Sequence, residues 1–154
     1  MHDNPCLLHR NSDTIEQDID TFFDDHGFNG FRVPVFCRWF DIDKEANPQY
    51  DAPNRAPDPR TFEAIELLIK KTHARAGLVH LWLWGDNDGN HRQTPIREDW
   101  GGKQGRVATR LYRYIAARLG PIPGWTMGFG FDLEHWAGER DLKQWHDLMT
   151  REMG

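Results

Sequence analysis

Runs of apolar residues along the chain predict three β-strands. The longest run, LVHLWLW at residues 78–84, lies between two glycines and is typical of a parallel strand buried on both faces. Residues 28–36 form a second run, in which Pro34 weakens the prediction of a strand. The third run begins at residue 124. Within it, Gly128 and Gly130 leave room for close approach of another group. The three runs are separated by segments with a different spacing of apolar residues.

Helical spacing marks four segments around these strands. The first starts with a potential cap at Ser12 and ends at Gly27. The second is capped by Asp58, has Pro59 at its first position and stops at Gly77. The third spans about residues 103–119, and the last carries apolar residues at positions 142, 145, 148 and 149. Helices and strands therefore alternate along the whole chain.

This alternation predicts a single α/β domain over residues 1–154, with a parallel sheet and right-handed crossovers. In each strand–helix unit a long, polar, Trp-rich loop follows the strand, whereas the loops that follow helices are short and marked by Gly or Pro. Function is therefore expected at the C-terminal edge of the sheet, as in (β/α)8 barrels. Three strands cannot close a barrel, so we expect a partial TIM barrel that lacks the first strand and the second half. A small open three-layer sheet is the alternative.

Composition narrows the functional classes. The net charge is -5 and no basic block stands out, so nucleic acid is not favoured as a partner. No apolar run reaches membrane-spanning length, and the opening residues lack the apolar core of a signal peptide, which leaves the compartment undetermined. Cys6 and Cys37 are expected to be free thiols rather than one disulfide. The 7 Trp and 9 Phe indicate an aromatic core or a stacking surface.

Familiar metal and nucleotide motifs are excluded by their spacing. DNDGN at residues 86–90 resembles a calcium loop, but its glycine comes too early and Arg97 stands where the bidentate Glu belongs. GGKQG lacks the ending of a phosphate-binding loop. The 8 His show no HExxH spacing, and no GxSxG is present. We therefore expect no metal and no cofactor.

Three segments resemble one enzyme family. GFNGFRVPVF, LVHLWLWGD and GWTMGFGFDLEHW are similar to the second, third and fourth strands of the (β/α)8 clan of retaining glycoside hydrolases, most of all its cellulase-like and apiosidase-like members. The resemblance covers nearly the whole chain, but only the N-terminal half of such an enzyme. It implies hydrolysis of O-glycosidic bonds in a carbohydrate substrate. It also implies a nucleophile on a seventh strand, beyond the three predicted here.

The resemblance implies an acid/base carboxylate at the end of the last predicted strand. Clan members carry Asn-Glu there, whereas this chain reads Phe131-Asp132-Leu133-Glu134, so either Asp132 or Glu134 is a candidate. Both lie among Phe129, Phe131 and Trp136, and apolar surroundings favour the protonated acid that glycoside hydrolysis requires. Residues two apart on an extended backbone share a side, so both can face one cleft. The alternative is that one of them caps the last helix.

Seven further residues are candidates for substrate binding, and most of them have a structural alternative. His80, Trp82 and Trp84 share one side of the central strand, where an indole can stack on a pyranose ring or simply fill the core. Asp86 can bind sugar hydroxyls or cap its loop. We expect Arg32 to be buried and paired with a strand-end carboxylate. The candidates are Arg32, Trp39, His80, Trp82, Trp84, Asp86 and Trp136.

The sequence thus supports three hypotheses. The first is a fragment of a glycoside hydrolase domain that is inactive alone because its second carboxylate is missing. The second is a non-catalytic carbohydrate-binding or scaffold protein. The third is a small α/β enzyme of unrelated chemistry that completes its site by oligomerisation. Exposed sheet edges make self-association an expectation under all three.

Overall fold

The computed structural model describes residues 12–43, 55–84 and 101–154. This part of the chain is an α/β structure with one sheet of three parallel strands and four α-helices, which confirms the predicted fold class. The strands are β1 Gly30–Pro34, β2 Leu78–Trp84 and β3 Trp125–Gly130, and the helices are α1 Ser12–Asp20, α2 Pro59–Ala74, α3 Arg106–Leu119 and α4 Glu139–Met153. Short helical turns occupy Thr21–Asp25, Phe36–Trp39, Gly102–Gln104 and Leu133–His135.

Asp58 fixes the start of α2, as its sequence context predicts. Its carboxylate accepts a hydrogen bond from the backbone N–H of Arg60 at 3.0 Å, which caps the helix. The same carboxylate accepts from the backbone N–H of Ile42 at 3.0 Å and forms an ion pair with the Arg60 guanidinium at 2.7 Å. Although its burial opposes ionisation, these hydrogen bonds and the Arg60 charge hold the pKa of Asp58 below its usual value.

The start of α4 depends on Gly138 and Asp141. Gly138 is the N-cap residue, and its backbone N–H donates to the Asp141 carboxylate at 3.1 Å. The interpretation that Asp132 or Glu134 caps the last helix is therefore wrong. The physical reason is that a separate 3-10 turn, Leu133–His135, lies between β3 and that helix.

The strands lie in the order β1-β2-β3, so each parallel crossover joins neighbouring strands. Right-handed crossovers in this order put the connecting helices on one face of the sheet. On that face of β2, Val79, Leu81 and Leu83 are completely buried. Trp145 of α4 contacts Phe129 of β3 on the same face, with ring centroids 5.1 Å apart.

The other face of the sheet is less covered. Leu78 is 46% exposed, and His80 and Trp82 are partly exposed. In the part of the chain that the structure describes, the helices and the sheet thus form two layers, which does not favour the three-layer alternative. Cys37 is buried and is not part of a disulfide, whereas Cys6 lies outside the described residues. None of the described helices is both long and apolar enough to cross a membrane.

Candidate functional site

Five residues from the three strands line the face opposite the helices, which we call the open face: Arg32, His80, Trp82, Thr126 and Gly128. The strand register brings them together. His80 lies beside Arg32 on one side and Thr126 on the other, and Trp82 lies beside Gly128. Alternation along each strand then directs these side chains to the same face. The open face is therefore built by sheet pairing and not by a flexible loop.

His80 is held in place by a neighbouring hydroxyl. Its Nδ1 lies 2.7 Å from Oγ1 of Thr126, a hydrogen-bond distance. Partial burial lowers the pKa of His80, and the positive charge of Arg32 lowers it further. The imidazole is therefore neutral at pH 7 and offers one donor and one acceptor nitrogen.

Trp82 is the centre of the open face. Cζ of Arg32 lies over its ring, 5.1 Å from the centroid, and the Phe131 ring lies 4.4 Å away at an angle of 32°. The His80 ring meets it edge-on at 4.9 Å. Gly128 makes room for the indole, because a Cβ there would lie 2.9 Å from a ring carbon. Trp82 thus holds together the side chains of the open face and offers a ligand little free ring surface.

Arg32 departs from its predicted environment. We expected a buried guanidinium, but the side chain is exposed. The reason is that none of the described helices covers this face of the sheet, where Cζ of Arg32 lies over the Trp82 ring.

Two of the predicted substrate-binding tryptophans are buried away from the open face. Trp84 is 1% exposed, and its Nε1–H donates to the hydroxyl of Tyr112 on α3 at 3.2 Å. That hydroxyl donates in turn to the carbonyl of Lys103 at 2.9 Å. Trp39 is fully buried, and its Nε1–H donates to the carbonyl of Leu83 at 2.8 Å. In this structure both indoles join the sheet to neighbouring segments and present no surface to a ligand.

Trp136 also has a structural role in the turn after β3. Its ring stacks on Phe129 at 5.4 Å, and its Nε1–H donates to the carbonyl of Phe131 at 2.7 Å. Lys103 lies over this ring and forms an ion pair with Asp141 at 2.7 Å. The Lys103 hydrogen bond lowers the pKa of Asp141. Trp136 remains partly exposed, so it lies beside the turn that carries the candidate carboxylates.

Asp132 and Glu134 both lie on that turn and are exposed. Asp132 has left-handed backbone geometry, with φ of +41°, and begins the 3-10 turn. Glu134 has 73% of its side chain exposed and lies 3.9 Å from Nε2 of His135. The expected apolar environment is therefore not found around Glu134. Asp86, the remaining candidate, lies outside the described residues.

Comparisons with known proteins add no assignment. No family model, curated protein or solved structure matches this chain. Among the described residues, no group of three or more His, Cys, Asp or Glu side chains is arranged to hold a metal ion. Any assignment of chemistry therefore depends on the geometry of the open face and of the turn after β3.

Two residues with contacts in this region were not among the candidate site residues predicted from the sequence. Thr126 fixes the His80 ring, and Phe131 packs on both Trp82 and Phe36, the latter at 5.8 Å. The signal for Thr126 was its alternation with Trp125 and Met127 along β3, which directs a hydroxyl to the opposite face. Phe131 gave no comparable signal, because it follows the strand and its direction depends on the left-handed turn at Asp132.

Proposed function

We propose that this chain forms the N-terminal part of a (β/α)8 glycoside hydrolase domain, with Asp132 or Glu134 as the general acid/base. Three parallel strands in sequential order, with their helices on one face, are what a segment of such a barrel requires. The observation that carries the proposal is at the end of β3. There, Asp132 follows Phe131 directly, and Phe131 packs on Trp82 of the open face.

The proposed chemistry begins with protonation of the glycosidic oxygen. Asp132 or Glu134 donates its proton to that oxygen as the bond from the anomeric carbon to the oxygen breaks. The electron pair of the bond stays with the leaving group, which departs as an alcohol. The developing positive charge on the sugar requires a second carboxylate, which the family resemblance assigns to a later strand. The described residues therefore supply sugar contacts and one proton, and the isolated chain is expected to bind without turnover.

Affinity labelling tests this role without requiring turnover. An N-bromoacetyl glycosylamine bound at the open face brings its CH2 carbon to the carboxylate, whose oxygen displaces bromide and forms an ester. Mass spectrometry is expected to find the label at Asp132 or Glu134, with protection by the free sugar. Exposed Asp147 and Glu139 on α4 are internal controls, since neither belongs to the turn. Equal labelling of all four residues without protection would contradict the acid/base assignment.

A second candidate function is carbohydrate binding without catalysis. The 73% exposure of the Glu134 side chain favours it, because the apolar surroundings that a general acid requires are not found there. Titration of tryptophan fluorescence with oligosaccharides tests this function. Saturable binding that Trp82→Ala abolishes and Trp145→Ala preserves, together with no protectable labelling of Asp132 or Glu134, would favour binding alone. Trp145 is a suitable control because it lies on the helix side of the sheet.

A further inference from the structure

His80 and Thr126 bring a base and a hydroxyl together on the open face. The two residues are register partners on β2 and β3, and Nδ1 of His80 lies 2.7 Å from Oγ1 of Thr126. We propose that the Thr126 hydroxyl is an acyl acceptor, which takes the acyl group of an activated aryl ester while His80 removes its proton. This activity goes beyond the proposed function, because it needs neither a sugar nor a carboxylate.

The Thr126 hydroxyl lies where an ester can reach it. Thr126 is exposed and His80 is partly exposed. The next residue of β3 on this face is Gly128, which has no side chain to cover the hydroxyl. A Cβ at position 128 would lie 3.1 Å from Nε2 of His80, so the glycine also leaves room for the imidazole ring. Because both residues belong to paired strands, the sheet rather than a loop sets the distance between the base and the hydroxyl.

The charge state of His80 suits a general base. Partial burial lowers its pKa, and the positive charge of Arg32 on β1 lowers it further, so the imidazole is neutral at pH 7. Nδ1 can accept the hydroxyl proton when the other ring nitrogen, Nε2, carries the imidazole proton. A nucleophile and a base within hydrogen-bond distance are the arrangement that activates a hydroxyl for attack. The pair therefore has the two groups that the first step of acyl transfer requires.

The proposed reaction moves an acyl group from the ester to Thr126. Oγ1 attacks the carbonyl carbon of the ester, and the hydroxyl proton moves to Nδ1 of His80. The bond from that carbon to the leaving oxygen then breaks, and its electron pair stays with the leaving oxygen, which takes the proton from the imidazolium. The products are an ester at Thr126 and a free phenol, and His80 returns to its neutral form.

Acetylation by para-nitrophenyl acetate tests the proposal, because its phenol is coloured and its acetyl group is found by mass spectrometry. We expect an acetyl group at Thr126 as an ester that alkaline hydroxylamine removes, whereas acetyl amides on lysines persist. Thr109 is the internal control, since it is a partly exposed threonine on α3 whose hydroxyl donates to the carbonyl of Gln104. Acetylation of Thr126 is expected to be about 100-fold faster than that of Thr109.

Variants assign the role of each group. Thr126→Val keeps the branched shape and is expected to abolish the burst of phenol, whereas Thr126→Ser is expected to keep it. His80→Gln is expected to slow acetylation by about 100-fold. In the natural chain the rate is expected to rise with pH through the pKa of His80 and then level off, and Arg32→Gln is expected to move this rise to higher pH. Unchanged circular dichroism would show that each variant is folded.

Several outcomes would overturn the acyl acceptor without touching the proposed function, which is tested at Asp132 and Glu134. A burst that survives Thr126→Val would show that another group, such as the imidazole itself, receives the acetyl group. Equal acetylation of Thr126 and Thr109, or an unchanged rate in His80→Gln, would remove the role of the base. Nitrogen NMR that places the imidazole proton on Nδ1 would also overturn it, whereas a proton on Nε2 together with His80-dependent acetylation of Thr126 supports it.

Discussion

The two faces of β2 show how one strand serves two purposes. Toward the helices it presents Val79, Leu81 and Leu83, all completely buried. Toward the open face it presents His80 and Trp82, which are partly exposed and contact Arg32, Thr126 and Phe131. The first face is uniform in chemistry and accounts for stability, whereas the second is mixed and organised by specific contacts. Selection for folding explains the first face, but an exposed arginine over a tryptophan ring needs another explanation.

The largest expected effect comes from removing a side chain on the helix face. Leu81→Ala removes a fully buried side chain, so we expect the free energy of unfolding to fall by about 2–5 kcal/mol. Leu78→Ala is the matched control, since the same substitution on the open face of the same strand affects a residue that is 46% exposed. It is expected to cost about 0.5 kcal/mol or less. Urea unfolding measures both, and equal losses would mean that the two faces do not differ as described.

The next largest expected loss of stability comes from removing the hydrogen bonds of Tyr112, which connect β2 to α3. Tyr112→Phe removes the hydroxyl that accepts from Trp84 and donates to the Lys103 carbonyl. A buried donor and a part-buried acceptor are left unsatisfied, so we expect a loss of about 1–3 kcal/mol. Tyr114→Phe on the same helix removes a part-buried hydroxyl that accepts from Arg118, and is expected to cost less. If the losses in urea unfolding are equal, Trp84 is not held in place as the structure indicates.

The open face is expected to show its effect in pH dependence rather than in large losses of stability. The pKa of His80 is lowered on folding, so between that value and 6.5 the unfolded chain binds more protons than the folded chain. The contribution of His80 therefore makes stability rise with pH through this window and level off above it. NMR titration of the imidazole is expected to give a pKa below 6.5 that increases in Arg32→Gln. Arg110→Gln should leave that value unchanged, and an identical response to both substitutions would rule out Arg32 as a cause.

The sequence predicted the helix face better than the open face, for a physical reason. Periodicity reports how often apolar residues return, and this was enough to locate β2, the cap at Asp58 and the helices. It does not report which faces remain uncovered, so Arg32 was expected to be buried. It also treated Trp82 and Trp84 alike, although only Trp84 turns toward Tyr112 on α3. That difference depends on tertiary contacts at the strand end, which alternation along one strand cannot reveal.

The smallest expected changes in stability are at two residues with left-handed backbone geometry. One lies next to a helix and the other lies beyond the open face. Ala76 has φ of +58° and joins α2 to β2, whereas Asp132 has φ of +41° at the turn beyond the open face. Glycine adopts this geometry without steric cost, so Ala76→Gly is expected to raise the free energy of unfolding by about 0.5–1 kcal/mol. Asp132→Gly is expected to raise the free energy of unfolding by a smaller amount, because aspartate tolerates the left-handed region better than alanine.

Asp132→Gly and Ala76→Gly are expected to differ in their effect on function. If strain at Asp132 is kept because its carboxylate acts on the ligand, Asp132→Gly keeps or gains stability but loses any protectable labelling at position 132, whereas Ala76→Gly leaves the labelling unchanged. Asp132→Asn gives a further comparison, because it keeps the backbone preference and removes only the charge. Urea unfolding and the labelling yield would be measured on the same samples. If Asp132→Gly and Asp132→Asn both preserve stability and protectable labelling at Glu134, the acid/base assignment falls to Glu134 and the strain at Asp132 serves only to redirect the chain.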